Sequence, residues 1–152
     1  METLVRRLGR IFSWTKKRRG KPAETWTLRR MERLEAALDK YLADKGWRVP
    51  VRTVGEAAER LGTDTGTLHT YFQERIGLDF RTWRTRLRLE DAKRMLAENP
   101  GMQPAEAARR SGFSNRSNFS RQFLAYTGRT PAEWQKKAGA SRDGPAWEND
   151  YV

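Results

Sequence analysis

Residues 56–62 read EAAERLG, and residues 106–112 read EAARRSG. After one inserted residue the likeness continues at an offset of 51, where Leu68 pairs with Phe119, Phe72 with Phe123, Gly77 with Gly128 and Trp83 with Trp134. Spaced agreement of this kind indicates an internal duplication. The sequence therefore contains two copies of one supersecondary unit.

The residues of this repeat describe a helix-turn-helix. A small residue, Ala58 or Ala108, precedes a glycine, Gly62 or Gly112, by four positions. The small side chain lets two helices approach closely, and the glycine permits a tight turn between them. A bulky residue six or seven positions later then packs the second helix onto the first. We predict one helix-turn-helix at about 53–77 and another at about 103–128.

The rest of the chain shows helical spacing and no strand pattern. Thr53 with Glu56, and Thr130 with Glu133, have the spacing of capping boxes, and Asp79 can cap a long helix at about 79–98 that ends before Asn99. The chain is predicted to be all-α, with the long helix connecting the two units. A first helix is predicted from the apolar series Leu28, Met31, Leu34, Leu38, Tyr41 and Leu42.

Composition excludes several classes of protein. The formal net charge is +12, with an excess of basic residues in 1–22 and in 101–137, so the partner we expect is a polyanion. There is no cysteine and a single histidine, and the carboxylates are dispersed along the helices, which disfavours an enzyme, a metal site and a bound cofactor. No apolar run is long enough to span a bilayer, so we expect a cytoplasmic protein.

Both ends of the chain differ from the middle. Residues 1–22 form a basic, amphipathic arm that ends at Pro22, and residues 139–152 contain helix breakers without periodicity. We predict a folded domain at 23–138 and a disordered tail at 139–152. The arm suggests an alternative function, a protein-interaction or membrane-surface module.

The second unit carries a distinctive run of residues. Residues 112–115 read GFSN, residues 117–123 read SNFSRQF and residues 127–131 read TGRTP. With Arg88-Leu89 in the connecting helix, this run resembles the DNA-binding domain of AraC/XylS-type bacterial transcription regulators. The resemblance covers about residues 28–137. It implies a seven-helix bipartite fold. It also implies binding to double-stranded promoter DNA and contact with RNA polymerase. It leaves open whether the chain is a minimal regulator or the output end of a longer sensor.

Periodicity sorts the second helix of each unit into two faces. Leu68, Tyr71 and Phe72 should point inward in the first, and Phe119 and Phe123 in the second. The outward positions, which match base-contacting positions in the family, are Gly66, His69, Thr70, Gln73, Arg116, Ser117, Ser120 and Arg121. Among these, Arg121 is the leading candidate, because arginine can bond guanine O6 and N7 together. Thr65, Asn115 and Asn118 are predicted to contact phosphates or to cap helices.

The length of the connecting helix suggests how two units could read one duplex. A helix of about 20 residues is about 30 Å long, and successive major grooves on one face of B-DNA recur about every 34 Å. We therefore predict a sequence-specific transcription regulator that inserts two recognition helices into adjacent major grooves.

Overall fold

The computed structural model describes residues 25–142, with side chains described for residues 27–140. This range contains seven α-helices and no strand, which confirms the predicted all-α class. A short 3₁₀-helix, Gly46–Arg48, follows the first helix, and a π-helical turn, Phe72–Ile76, follows the third. The α-helices are α1 Thr25–Ala43, α2 Val54–Arg60, α3 Thr65–Tyr71, α4 Phe80–Glu98, α5 Pro104–Arg110, α6 Arg116–Thr127 and α7 Pro131–Arg142.

The last helix is longer than the sequence predicted. Residues 139–142, which the sequence placed in the disordered tail, continue α7 as far as Arg142. Alanine is the strongest helix former, and one interior glycine costs only about 1 kcal/mol, so Gly139 between Ala138 and Ala140 does not end the helix. The basic arm at 1–22 and the rest of the tail lie outside the described residues.

The chain divides into two compact units, and the boundary between Thr85 and Arg86 falls inside α4. We call the described residues 25–85 the first unit and 86–142 the second unit.

An aromatic cluster fills the core of the first unit. The Phe72 ring centroid lies 5.2 Å from that of Trp83 and 5.4 Å from that of Phe80, and Tyr41 of α1 stacks on Trp83 at 6.0 Å. Leu34, Leu38 and Leu42 of α1 are buried as predicted, whereas Leu28 of the same predicted stripe is 44 % exposed. Burial of one such aromatic side chain stabilises the fold by about 1.5–3 kcal/mol.

The second unit has its own core, built around three phenylalanines. Phe119 lies between Phe113 and Phe123, with ring centroids 5.1 and 5.4 Å away. These rings pack with the small and aliphatic residues Leu89, Ala92, Leu96, Ala107 and Ala108. The predicted inward positions of α6 are therefore confirmed.

The two tryptophans at equivalent repeat positions have different surroundings. Trp83 is 1 % exposed, as expected for a core residue. The repeat predicts the same burial for Trp134, but Trp134 is only partly buried against the second core. Its indole Nε1 donates to the Lys93 carbonyl at 3.3 Å, and the Lys93 ammonium lies 5.0 Å from its ring centroid. Trp134 therefore contacts Lys93 of α4 at the edge of the second core.

The helix-turn-helix turns are the same in both units. Gly62 and Gly112 have φ of +68° and +98°, a region that favours glycine. In each turn an amide reaches back to the carbonyl of the buried alanine: Thr63 N–H donates to Ala58 O, and Phe113 N–H to Ala108 O, both at 2.9 Å. The duplication seen in the sequence thus extends to individual hydrogen bonds.

Candidate nucleic-acid interface

The second helix of each unit begins with a side-chain cap at the same repeat position. Asp64 Oδ1 accepts from Thr67 N–H, and Asn115 Oδ1 accepts from Asn118 N–H, both at 2.8 Å. A capping oxygen satisfies one of the amides that a helix leaves open at its start. These caps fix the first turns of α3 and α6, where a recognition helix contacts base edges.

Helix α3 separates its two faces as the sequence predicted. Leu68, Tyr71 and Phe72 are at most 2 % exposed. The predicted contact residues of this unit, Gly66, His69, Thr70 and Gln73, are all exposed. A row of exposed groups therefore lies along the side of the helix away from the core, and the DNA contacts themselves remain a prediction.

The predicted contact face of α6 is more basic than that of α3. Arg116, Ser117 and Arg121 are exposed, and Ser120 is half-buried. The Arg121 guanidinium donates to Asn118 Oδ1 at 3.2 Å, and Gln122 Nε2 donates to the same oxygen at 2.8 Å. Asn118 therefore restrains one terminal nitrogen of the Arg121 guanidinium while the side chain stays at the surface.

The residues predicted to contact phosphates or cap helices fall into different roles. Asn115 is the cap of α6 through its side-chain oxygen. Thr65 is the first residue of α3, whose cap is Asp64. Within the described residues, the side-chain Nδ2 atoms of Asn115 and Asn118 donate no hydrogen bond, whereas their Oδ1 atoms accept, so both nitrogens remain candidate phosphate donors.

A difference between the ends of the two recognition-helix candidates was not predicted from the repeat. After Tyr71 the first unit widens into the π-helical turn, in which Gly77 N–H donates to Phe72 O at 2.7 Å. Helix α6 stays regular to Thr127. Gln73 therefore lies on a wider turn than the equivalent residue of the second unit, and π-turns are frequent at functional sites.

Two arginines of α1 were not among the predicted site residues. Arg30 forms an ion pair with Asp64, the cap of α3. Arg33 lines a cavity of about 350 Å³ that also includes Arg30, Gly62 and Thr63. Helical periodicity did not point to these arginines, because it does not say which turn a helix lies against.

The arginines of the connecting helix have mixed roles. Arg84 donates to the Val49 carbonyl, and the Arg88 guanidinium lies 5.9 Å from the centroid of the Phe113 ring. Arg81 is exposed. Part of the positive charge on α4 thus supports packing inside each unit.

Ion pairs and caps hold several carboxylates in the ionised form. Hydrogen bonds from Arg109 and Arg110 lower the pKa of Glu106 to about 2. The backbone amide of Thr67, its hydroxyl and the nearby Arg30 lower the pKa of Asp64. Because Glu106 remains charged, it offsets part of the positive charge of the two arginines on α5.

A small network attaches α6 and α7 to the second half of α4. Tyr126 Oη and Lys93 Nζ both donate to Glu90 Oε1 at 2.8 Å. Burial, followed by the hydrogen bond to Glu90, raises the pKa of Tyr126 above its usual value. The Lys93 ammonium also lies 5.6 Å from the centroid of the Tyr126 ring. These contacts fix the orientation of α6 within the second unit.

Among residues 25–142, no group of three or more histidine, aspartate or glutamate side chains could hold a metal ion. No helix in that range has the length and apolar content needed to cross a membrane.

Comparison with known proteins identifies the family. A family model described as Helix-turn-helix domain matches residues 57–137, more than half of the chain. The chain belongs to the AraC-type helix-turn-helix family. This family consists of DNA-binding domains of transcription regulators, not of enzymes. The resemblance found in the sequence is thereby confirmed.

One curated relative is named as a transcriptional regulatory protein. The chain is 33 % identical over 89 residues to "Uncharacterized transcriptional regulatory protein YesN" of Bacillus subtilis, a match that covers 58 % of this chain and 24 % of that protein. The chain thus spans about a quarter of the length of this curated relative.

Two solved structures share the fold, each with a TM-score of 0.58 and 23 % identity. One is a probable AraC family transcriptional regulator from Rhodopseudomonas palustris, with 70 % of this chain and 97 % of that chain covered. The other is the C-terminal domain of the two-component response regulator yesN from Fusobacterium nucleatum, with 66 % and 96 % covered.

Proposed function

We propose that this protein is a sequence-specific regulator of transcription that reads double-stranded DNA with α3 and α6. The observation that carries the proposal is the repeated arrangement of cap, turn and exposed face in the two units. In both, a buried apolar side holds the second helix on the core, and mainly polar or basic side chains occupy its other side. Such a helix is the element that enters the major groove in helix-turn-helix proteins.

The two helices carry different chemistry toward that groove. The predicted contacts of the first unit are Gly66, His69 and Thr70 on α3 and Gln73 on the π-helical turn that follows it, and they include no lysine or arginine. The contacts on α6 include Arg116 and Arg121. Arginine makes the most frequent specific contact with guanine, so we propose that α6 provides more of the base discrimination than α3.

We further propose that α3 and α6 enter adjacent major grooves. Helix α4 has 19 residues, which corresponds to about 28 Å at the rise of an α-helix. Adjacent grooves on one face of B-DNA are separated by about 34 Å. The proposal therefore requires two short preferred blocks of sequence, about one helical turn apart.

The alternative of an interaction module driven by residues 1–22 is not favoured. The family match covers residues 57–137 and does not include the arm. Contact with RNA polymerase, which the resemblance implies, is part of the proposal, and a reconstituted transcription assay with purified polymerase tests it.

Selection from a pool of random duplexes tests the proposed function. The full chain is incubated with the pool, bound duplexes are recovered over several rounds at fixed salt, and the products are sequenced. We expect a bipartite site. Recovery of duplexes without any common sequence, under conditions in which the chain is folded, would refute sequence-specific binding.

A further inference from the structure

Helix α6 exposes a large apolar side chain that the predicted site does not include. Leu124 is 46 % exposed, one of three large hydrophobic residues this exposed within the described part of the chain. A single exposed leucine is common on protein surfaces. Its position on α6 gives this one a specific meaning.

Leu124 lies on the predicted contact face. It follows Arg121 by three residues and Ser117 by seven, and α6 is regular throughout. Residues three, four and seven apart share one side of an α-helix. Phe119 and Phe123, on the other side, are 0 % exposed. The exposed leucine therefore extends the row formed by the polar and basic candidates.

The internal repeat gives independent support. At the offset of 51, the first-unit contact residues Gly66, His69, Thr70 and Gln73 correspond to Ser117, Ser120, Arg121 and Leu124. Homeodomains also read the major groove with residues spaced i, i+3, i+4 and i+7 along one helix. Leu124 thus occupies the fourth position of a set whose other three members are already candidates.

The chemistry of leucine selects its partner within the groove. An aliphatic side chain cannot hydrogen-bond to a phosphate or to a base edge. The apolar group that the major groove offers is the C5-methyl of thymine. We propose that Leu124 packs on a thymine methyl and is a specificity-determining residue of the second unit. The proposal rests on the proposed function of α6 as a recognition helix.

The register also limits where this thymine lies. Three residues of α-helix advance about 4.5 Å, and one base step along a strand advances about 3.4 Å. The thymine is therefore expected within about two base pairs of the guanine that Arg121 contacts.

Deoxyuridine substitution tests the contact, because deoxyuridine differs from thymidine only by the C5-methyl. Each thymine of a duplex selected by the full chain is replaced in turn, and Kd is measured for the unaltered chain and for Leu124→Ala. For the unaltered chain, we expect one of these replacements to raise Kd about fourfold, the factor expected for burial of one methyl group. Leu124→Ala should bind the thymine duplex and this deoxyuridine duplex with equal Kd. Leu28→Ala, a truncation at a leucine of similar exposure on α1, is the control and should keep the fourfold difference.

The outcomes separate this inference from the function on which it rests. If the full chain selects no common sequence, the proposed function fails. Two results would refute the leucine contact while the function stands. In the first, the chain selects a site but no deoxyuridine replacement changes the Kd of the unaltered chain. In the second, Leu124→Ala responds to the same replacement as strongly as the unaltered chain does. The first of these measurements uses no variant, so it remains decisive even if Leu124→Ala folds poorly.

Discussion

The side chain of Arg121 provides the sharpest test of how α6 reads DNA. We expect Arg121→Ala to weaken binding to the selected site and to abolish the preference at a single base pair. The side chain is exposed, so its removal should leave the free energy of unfolding nearly unchanged. A loss of affinity can then be assigned to the contact rather than to misfolding.

The size of the effect follows from the geometry of the guanidinium group. Arginine has five donor hydrogens, and in the described structure one nitrogen is engaged, by Asn118 Oδ1 at 3.2 Å. Two donors can therefore face guanine O6 and N7 while the bond to Asn118 persists. Because this bond already orients the fork, we expect the upper part of the range for a bidentate pair, about 2–3 kcal/mol. This corresponds to about a 30- to 140-fold increase in Kd.

Fluorescence anisotropy with base analogues measures this prediction. Duplexes carrying 7-deazaguanine, which lacks the N7 acceptor, are compared at constant salt for the unaltered chain and for Arg121→Ala. Replacement of one particular guanine by 7-deazaguanine should raise the Kd of the unaltered chain and leave the Kd of Arg121→Ala unchanged. Arg29→Ala, which removes the same charge from α1, is the matched control. Equal weakening at all sites, with the base preference unchanged, would contradict the assignment and indicate a phosphate contact.

Three further predictions concern binding and stability. Affinity should fall steeply with salt, with a slope of log K against log salt of about −0.9 for each phosphate neutralised; a flat titration would contradict contact with the DNA backbone. Asn115→Ala should lower the free energy of unfolding by about 1 kcal/mol in urea denaturation, because it removes the cap of α6, whereas Ser114→Ala, at its exposed neighbour, should have little effect. Stability should be constant above about pH 5 and fall below about pH 4, because folding lowers several carboxyl pKa values and the stabilisation disappears as those groups become protonated; a rise in the urea midpoint on acidification would contradict it. The carboxylates concerned are Glu56, Asp64, Asp79, Glu106 and Glu133.

The elements of the fold that follow from local chemistry were predictable. Turn glycines, caps and buried faces depend on residues a few positions apart, and these appear where the repeat placed them. The capping box of Thr130 and Glu133 has both reciprocal bonds, at 2.9 and 3.2 Å. The box predicted at Thr53 is half formed. The Glu56 carboxylate accepts from the backbone amide of Arg52 and from the guanidinium of Arg60, rather than from the backbone amide of Thr53.

Features that depend on packing between distant segments were not predictable from periodicity. The π-helical turn after Tyr71, the ion pair of Arg30 with Asp64 and the partial exposure of Trp134 each depend on which segments meet. The fourth contact position on α6 is different, since the repeat offset from Gln73 already points to Leu124. Leu124 was left unassigned in the sequence, because only polar and basic side chains of α6 were considered for the contact face.

The boundary between the two units falls within α4, and this affects any attempt to separate them. Cleaving the chain between Thr85 and Arg86 would cut a continuous helix, leaving up to four carbonyls on one stump and four amides on the other without helical partners. Phe80 and Trp83 would stay on one piece, and Leu89, Ala92 and Leu96 on the other. A half-protein intended to fold by itself should therefore retain the whole of α4, so that two complementary fragments would overlap by that helix.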